Sequence, residues 1–87
     1  MYHIFIKRSA VKELAKIPPS IRMRIKQAID ELCTKPRPDG CRKIRGSESA
    51  YRLRVGSYRV IYEVYDQNLM VVVVRIGHRK DVYRNRR

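Results

Sequence analysis

Residues 50–64, AYRLRVGSYRVIYEV, constrain the fold more than any other stretch of the chain. Apolar residues alternate with others on both sides of Gly56-Ser57. A period of two is a strand pattern. A two-residue connection with glycine first suits a type II′ hairpin turn. Tyr51, Leu53 and Val55 then share one face, and Arg52 and Arg54 the other. A tight hairpin brings Arg59 to the arginine side. Like charges side by side in a sheet repel, so something outside the chain is expected to offset that cost.

The remaining segments supply a third strand and a cover. LMVVVVRI, 69–76, is a strand whose valine run predicts an interior position buried on both faces. Asp66-Gln67-Asn68 turns the chain into it. YHIFIK, 2–7, is a further strand at the start. AVKELAKI, 10–17, is a short helix that Ser9 would cap, with Val11, Leu14, Ala15 and Ile17 on its apolar side. Pro18 and Pro19 stop that helix and open the next at Pro19 or Ser20. In SIRMRIKQAIDELC the spacing of Ile21, Ile25, Ala28, Ile29 and Leu32 is one helical face. Residues 34–49 read as a long loop, with two of the four prolines and two of the four glycines. The expected architecture is α+β over a single domain, 1–87: an N-terminal strand, a helical hairpin, then a three-stranded antiparallel meander. The helices cover one face of one sheet, leaving Arg52, Arg54 and Arg59 on the open face. Tyr58 and Tyr62, which share a side with Val60 and Val64, belong to the core.

Composition narrows the partner. The formal net charge is +13, with fourteen Arg against seven Lys. The excess is spread over both halves. Arg is a planar fork that fits phosphate, where Lys is a point charge. The expected partner is a nucleic acid or a strongly acidic protein. No apolar run approaches the roughly 18–20 residues needed to span a bilayer. The start of the chain lacks a signal peptide's apolar core, so a cytoplasmic location with no membrane contact is expected. Cys33 and Cys41 form no CxxC, and His3 and His78 are far apart in sequence. No metal site, disulfide or small-molecule cofactor is expected.

RIGHRKDVYR, 75–84, adds chemistry. Gly77 ends the last strand, and His78, Arg79 and Tyr83 emerge near the sheet's edge. If that strand is interior, they approach the arginine face. Guanidiniums, an imidazole and a phenol together suit a phosphodiester. Arg stabilises charge that builds on phosphorus, His moves protons near neutral pH and Tyr stacks on a base.

KIRGSESAYRLRVGSYRVIYEV followed by RIGHRKDVYR resembles the second half of the RelE/ParE toxin superfamily, closest to its RelE branch. ELAKIPPSIRMRIKQAIDEL is similar to that family's helical hairpin. The resemblance covers nearly the whole chain. It implies a microbial-ribonuclease-like fold and a type II toxin that cuts messenger RNA in the ribosomal A site. It also implies a cognate antitoxin, expected to be acidic. Arg52 and Arg54 fall where the best-known members carry two lysines. Arg59 falls on the arginine after the hairpin turn, Arg79 on the arginine after the strand-ending glycine, and Tyr83 on the tyrosine that follows. The resemblance makes Arg59 and Arg79 the holders of the scissile phosphate and Tyr83 the group that stacks on or orients the nucleotide. Lys43 and Arg45, just upstream, join Arg52 and Arg54 as expected RNA-binding residues. The reaction would be attack of a ribose 2′-OH on its own 3′-phosphate, with loss of the 5′-oxygen.

Two departures matter. The segment from Gly77 to Tyr83 is shorter than in the best-known members. One lysine proposed there as general base is Arg54 here, and arginine does not give up its proton. His78 becomes the candidate base or acid, with Glu48 as the other choice. The remaining choice is that positioning and charge neutralisation suffice without a base. Two functions compete with the nuclease: a non-enzymatic toxin that binds DNA gyrase, as in the ParE branch, and a plain basic nucleic-acid-binding module.

Overall fold

The computed structural model describes residues 1–78. They form one mixed five-stranded sheet with two helices against one face. In chain order the elements are β1 (His3–Ile6), α1 (Arg8–Ala15), α2 (Pro19–Glu31), β2 (Arg42–Lys43), β3 (Ala50–Val55), β4 (Tyr58–Tyr65) and β5 (Met70–His78). A short 3₁₀ turn, Asp66–Asn68, joins β4 to β5. The sheet order is β1-β5-β4-β3-β2. The predicted meander is present, each strand antiparallel to the one before. β1 runs parallel to β5, Ile4 beside Val71 and Ile6 beside Val73.

Four expectations need correction. Residues 34–49 are not all loop: Arg42 and Lys43 pair antiparallel with Arg52 and Tyr51, adding a fifth strand. Ser9 does not cap α1. The helix begins two residues earlier, at Arg8, with Lys7 at the N-cap and no side-chain bond there. That start turns Ala10, Leu14 and Ile17 inward and leaves Val11 48% exposed. The valine run is also not covered on both faces. Val71 and Val73 are fully buried under the helices, while Val72 and Val74 are half-buried on a face that nothing in the described residues covers.

The core lies between helices and sheet. Ile25, Ile29 and Leu32 of the second helical segment meet Leu53, Val60, Tyr62, Val71, Val73 and Ile76. Proline at N1 suits the start of α2, where the missing N–H has no intrahelical partner to lose. Arg22 ties the two helices together, donating to the Ala15 carbonyl at 3.2 Å. Tyr62 is fully buried, and its hydroxyl donates to the Pro36 carbonyl at 2.9 Å. Burial pushes that phenol well above its ordinary pKa, so it stays a donor.

The fourth correction concerns the end of β5 and the expected approach of His78 to the arginine face. The β4–β5 pairing slips by one residue between Ile61 and Tyr62. Before the slip Val71 and Val73 face the helices; after it Ile76 does. An extra residue in one strand flips every later side chain to the other face. β1 stops at Ile6, so β5 runs on beyond it. There Glu13 of α1 acts in place of a strand: its Oε1 accepts the Ile76 N–H at 2.8 Å, and its Oε2 lies 3.7 Å from the Arg75 guanidinium.

Candidate RNA-binding site

The hairpin between β3 and β4 sets the site. Gly56 has φ +60°, the left-handed value that the first position of a II′ turn requires. This two-residue turn fixes the register, so Arg54 sits directly across from Arg59. On β4's other side Arg59 faces Gly77, which adds no side chain there. On β3's other side Arg52 faces Arg42. The four arginines and Gly40 line one open basin of about 250 Å³ on the face away from the helices.

The four are held differently. Arg59 is 9% exposed, the one charged side chain among the buried residues, and its Nε is enclosed. Arg54 bends back, its Nε donating to the Gly56 carbonyl at 3.2 Å. Arg52 is half-buried and Arg42 exposed. The basin therefore has a buried guanidinium at its base and more exposed ones at its rim. Among the described residues its lining includes no carboxylate and no imidazole. The lining arginines present donors as paired N–H groups matched to phosphate oxygens.

Arg37, in the loop before β2, belongs to a clasp nearby. Its Nη2 and Nη1 reach the two oxygens of Asp66 at 2.7 and 3.2 Å. Its Nε donates to the Tyr51 hydroxyl at 2.9 Å, and the guanidinium lies over the Tyr51 ring at 5.3 Å. Tyr2 donates to Asp66 Oδ1 at 2.6 Å. Hydrogen bonds from Arg37 first, and from Tyr2, hold the Asp66 carboxyl below the usual range. The clasp secures the loop whose far end carries Gly40 and Arg42.

The basin contains Arg52, Arg54 and Arg59 of the expected site residues. It excludes three others. Lys43 pairs with Tyr51, one residue out of phase with Arg42, and so faces the other side of the sheet. Arg45 is exposed in the turn between β2 and β3. His78 pairs with Tyr58, not with an arginine, and the slip in β5 sends it to the helix side. Its ring stands edge-on to Tyr58 with centroids 5.5 Å apart. Glu48 does not line the basin either. Arg79 and Tyr83 lie outside the described residues. Arg42 was missed because its partner Arg52 becomes its neighbour only once β2 exists. Alternation in RK opposite YR was the available signal.

Comparison with known proteins agrees with this architecture. A family model described as ParE toxin of the type II toxin–antitoxin system parDE matches residues 4–83. Toxin RelE3 of Methanocaldococcus jannaschii is 33% identical over 84 residues, 92% of this chain and 93% of that protein. The mRNA interferase toxin RelE of Escherichia coli K12 is 30% identical over 81 residues, 91% of this chain and 84% of that one. The archaeal RelE–RelB complex from Pyrococcus horikoshii contains a chain that superposes with a TM-score of 0.81 at 29% identity, over 90% of this chain and 94% of that one. Full-length likeness to RelE proteins, the shared fold and the family match together place this chain in the RelE/ParE family of type II toxin–antitoxin toxins, among its RelE-like members.

Proposed function

We propose that this toxin is a ribosome-dependent endoribonuclease that cuts messenger RNA in the A site. The observation that carries the reading is the convergence of Arg42, Arg52, Arg54 and Arg59 in one open basin. The E. coli relative named as an mRNA interferase supports the substrate class. The ribose 2′-oxygen attacks the adjacent phosphorus and gives its proton to solvent; the P–O5′ bond breaks, leaving a 2′,3′-cyclic phosphate, and the 5′-oxygen takes a proton from solvent. Arg59, rigid at the base, is suited to the non-bridging oxygens as negative charge builds on them. Arg52 and Arg54 hold the flanking backbone. Arg79 and Tyr83 retain the roles implied by the family likeness, as phosphate ligand and nucleotide-stacking group.

No proton acceptor lines the basin among the described residues, and in this reading catalysis rests on holding the 2′-OH in line and neutralising charge. His78, on the other face, is not assigned as the base. The ribosome contributes the substrate's geometry. A cognate acidic antitoxin is the proposed silencing partner; the similar P. horikoshii chain is in complex with RelB. The open face offers it the arginines at one end and exposed Phe5, Tyr65 and Met70 at the other.

Inducible expression with primer extension on a cellular message tests the reading. Codon-phased cuts with growth arrest are expected. Arrest with intact messages and damaged DNA would replace it with the gyrase-directed function.

A further inference from the structure

Behind the arginine basin lies a second cleft that the proposed reaction does not use. It has a volume of about 380 Å³ and is lined by Ile21, Arg24, Gly56, Ser57, Tyr58 and His78. It opens on the helix side of the sheet, between the start of α2 and the tip of the β3–β4 hairpin. Its contents differ from the basin's: two aromatic rings edge to face, one guanidinium and one aliphatic side chain. Arg24 is exposed, and no carboxylate among the described residues pairs with it. Its Nη1 lies 3.9 Å from where a Cβ on Gly56 would stand, so it reaches over the turn.

The two cavities are back to back. Tyr58 and Arg59 are consecutive residues pointing to opposite faces, as are His78 and Gly77 across from them. The end of the hairpin lies between them, and Gly56-Ser57 at its tip carries no large side chain. A flexible polyanion held in the basin can turn over this tip into the cleft.

We propose that the cleft is a second subsite for single-stranded RNA. It receives an unpaired nucleobase against Tyr58 and His78 while Arg24 contacts the phosphate that crosses the turn. The proposal rests on the reading of the basin as the RNA site. The chemistry is that of sequence-tolerant single-strand binding: an aromatic face for the base and a cation for the backbone. A purely acidic peptide would need cations, and among the described residues the cleft has one guanidinium amid aromatic and aliphatic groups. An unstacked nucleotide uses all of them. His78 is thereby a base-contacting residue rather than a proton carrier.

Length dependence tests it. Fluorescence anisotropy on the full chain uses 2′-O-methyl oligoribonucleotides, which lack the attacking hydroxyl, of two and eight nucleotides. The short probe fills the basin alone; the long one reaches the cleft. Arg24→Gln, His78→Ala and Tyr58→Leu are each expected to weaken the eight-mer by about fivefold or more, the effect of losing one stacking or backbone contact. Affinity for the two-mer should be unchanged. Arg24 and His78 are exposed, so their variants keep the fold even if Tyr58→Leu does not. Unchanged eight-mer affinity, or equal losses at both lengths, overturns the subsite. So does a loss seen only with an acidic peptide. An Arg54→Glu variant separates the two readings: if it leaves both probes unaffected, the basin itself is not the RNA site.

Discussion

Among the described residues Arg59 is the one charged side chain that is buried. Across the strands it faces Arg54 and Gly77. Lysine at 59 would keep the charge and lose the planar fork. Arg59→Lys is expected to fold and to cleave messenger about 10²–10³-fold more slowly, the usual loss for one transition-state donor; single-turnover rates on programmed ribosomes measure it. His78 is expected to behave differently. His78→Ala should leave the maximal single-turnover rate within about twofold while raising the concentration needed to reach it. The pH dependence of the rate should be the same in His78→Ala as in the unaltered protein. A lost inflection together with a lost rate would restore His78 as the base.

Two elements are arranged against their own stability. β2 places Arg42 opposite Arg52, and the hairpin places Arg54 opposite Arg59. Direct like-charge pairs cost roughly 0.2–1 kcal/mol each. Arg42→Thr removes one such pair at an exposed position and adds a β-branched residue. It should stabilise the fold by about 0.5 kcal/mol in thermal unfolding while weakening RNA binding in the same preparation. The loop clasp has a pH signature. The Asp66 carboxyl has a lower pKa when folded than the ordinary carboxylate value of about 3.9. Its contribution to stability is present above that ordinary value and is lost as pH falls through the lower folded one. Amide exchange in residues 36–41 should therefore accelerate only in acid. Asp66→Asn should exchange fast already at neutral pH and lose the acid dependence.

At the scale of the molecule, a net charge of +13 on 87 residues makes every association electrostatic in part. The useful quantity is the salt slope. If the four basin arginines each neutralise a phosphate, log affinity for single-stranded RNA should fall against log salt with a slope of about −3. Arg42→Thr should make it shallower by about 0.7. A slope near zero would remove the basin from RNA recognition. The same charge distribution suits an acidic partner covering the open face, and none of the described helices is long and apolar enough to cross a membrane.

Local periodicity and turn chemistry, both carried by adjacent residues, determined much of this protein. The II′ turn at Gly56-Ser57 forces Arg54 against Arg59, and the spacing of Ile25, Ile29 and Leu32 forces a buried helical face. The arginine face of the hairpin, the order of elements and the family likeness could all be read before any coordinates. Tertiary structure alone decided three things. β2 exists only because β3 offers it an edge, and with it Arg42 enters the basin. β1 finds its place beside β5 through contacts across most of the chain. The slip between Ile61 and Tyr62 moves His78 to the helix side, because side chains alternate with period two and one extra residue exchanges the faces. The slip is set by how β5 packs between β4, β1 and the helices, and nothing in the local pattern of LMVVVVRIGH records it.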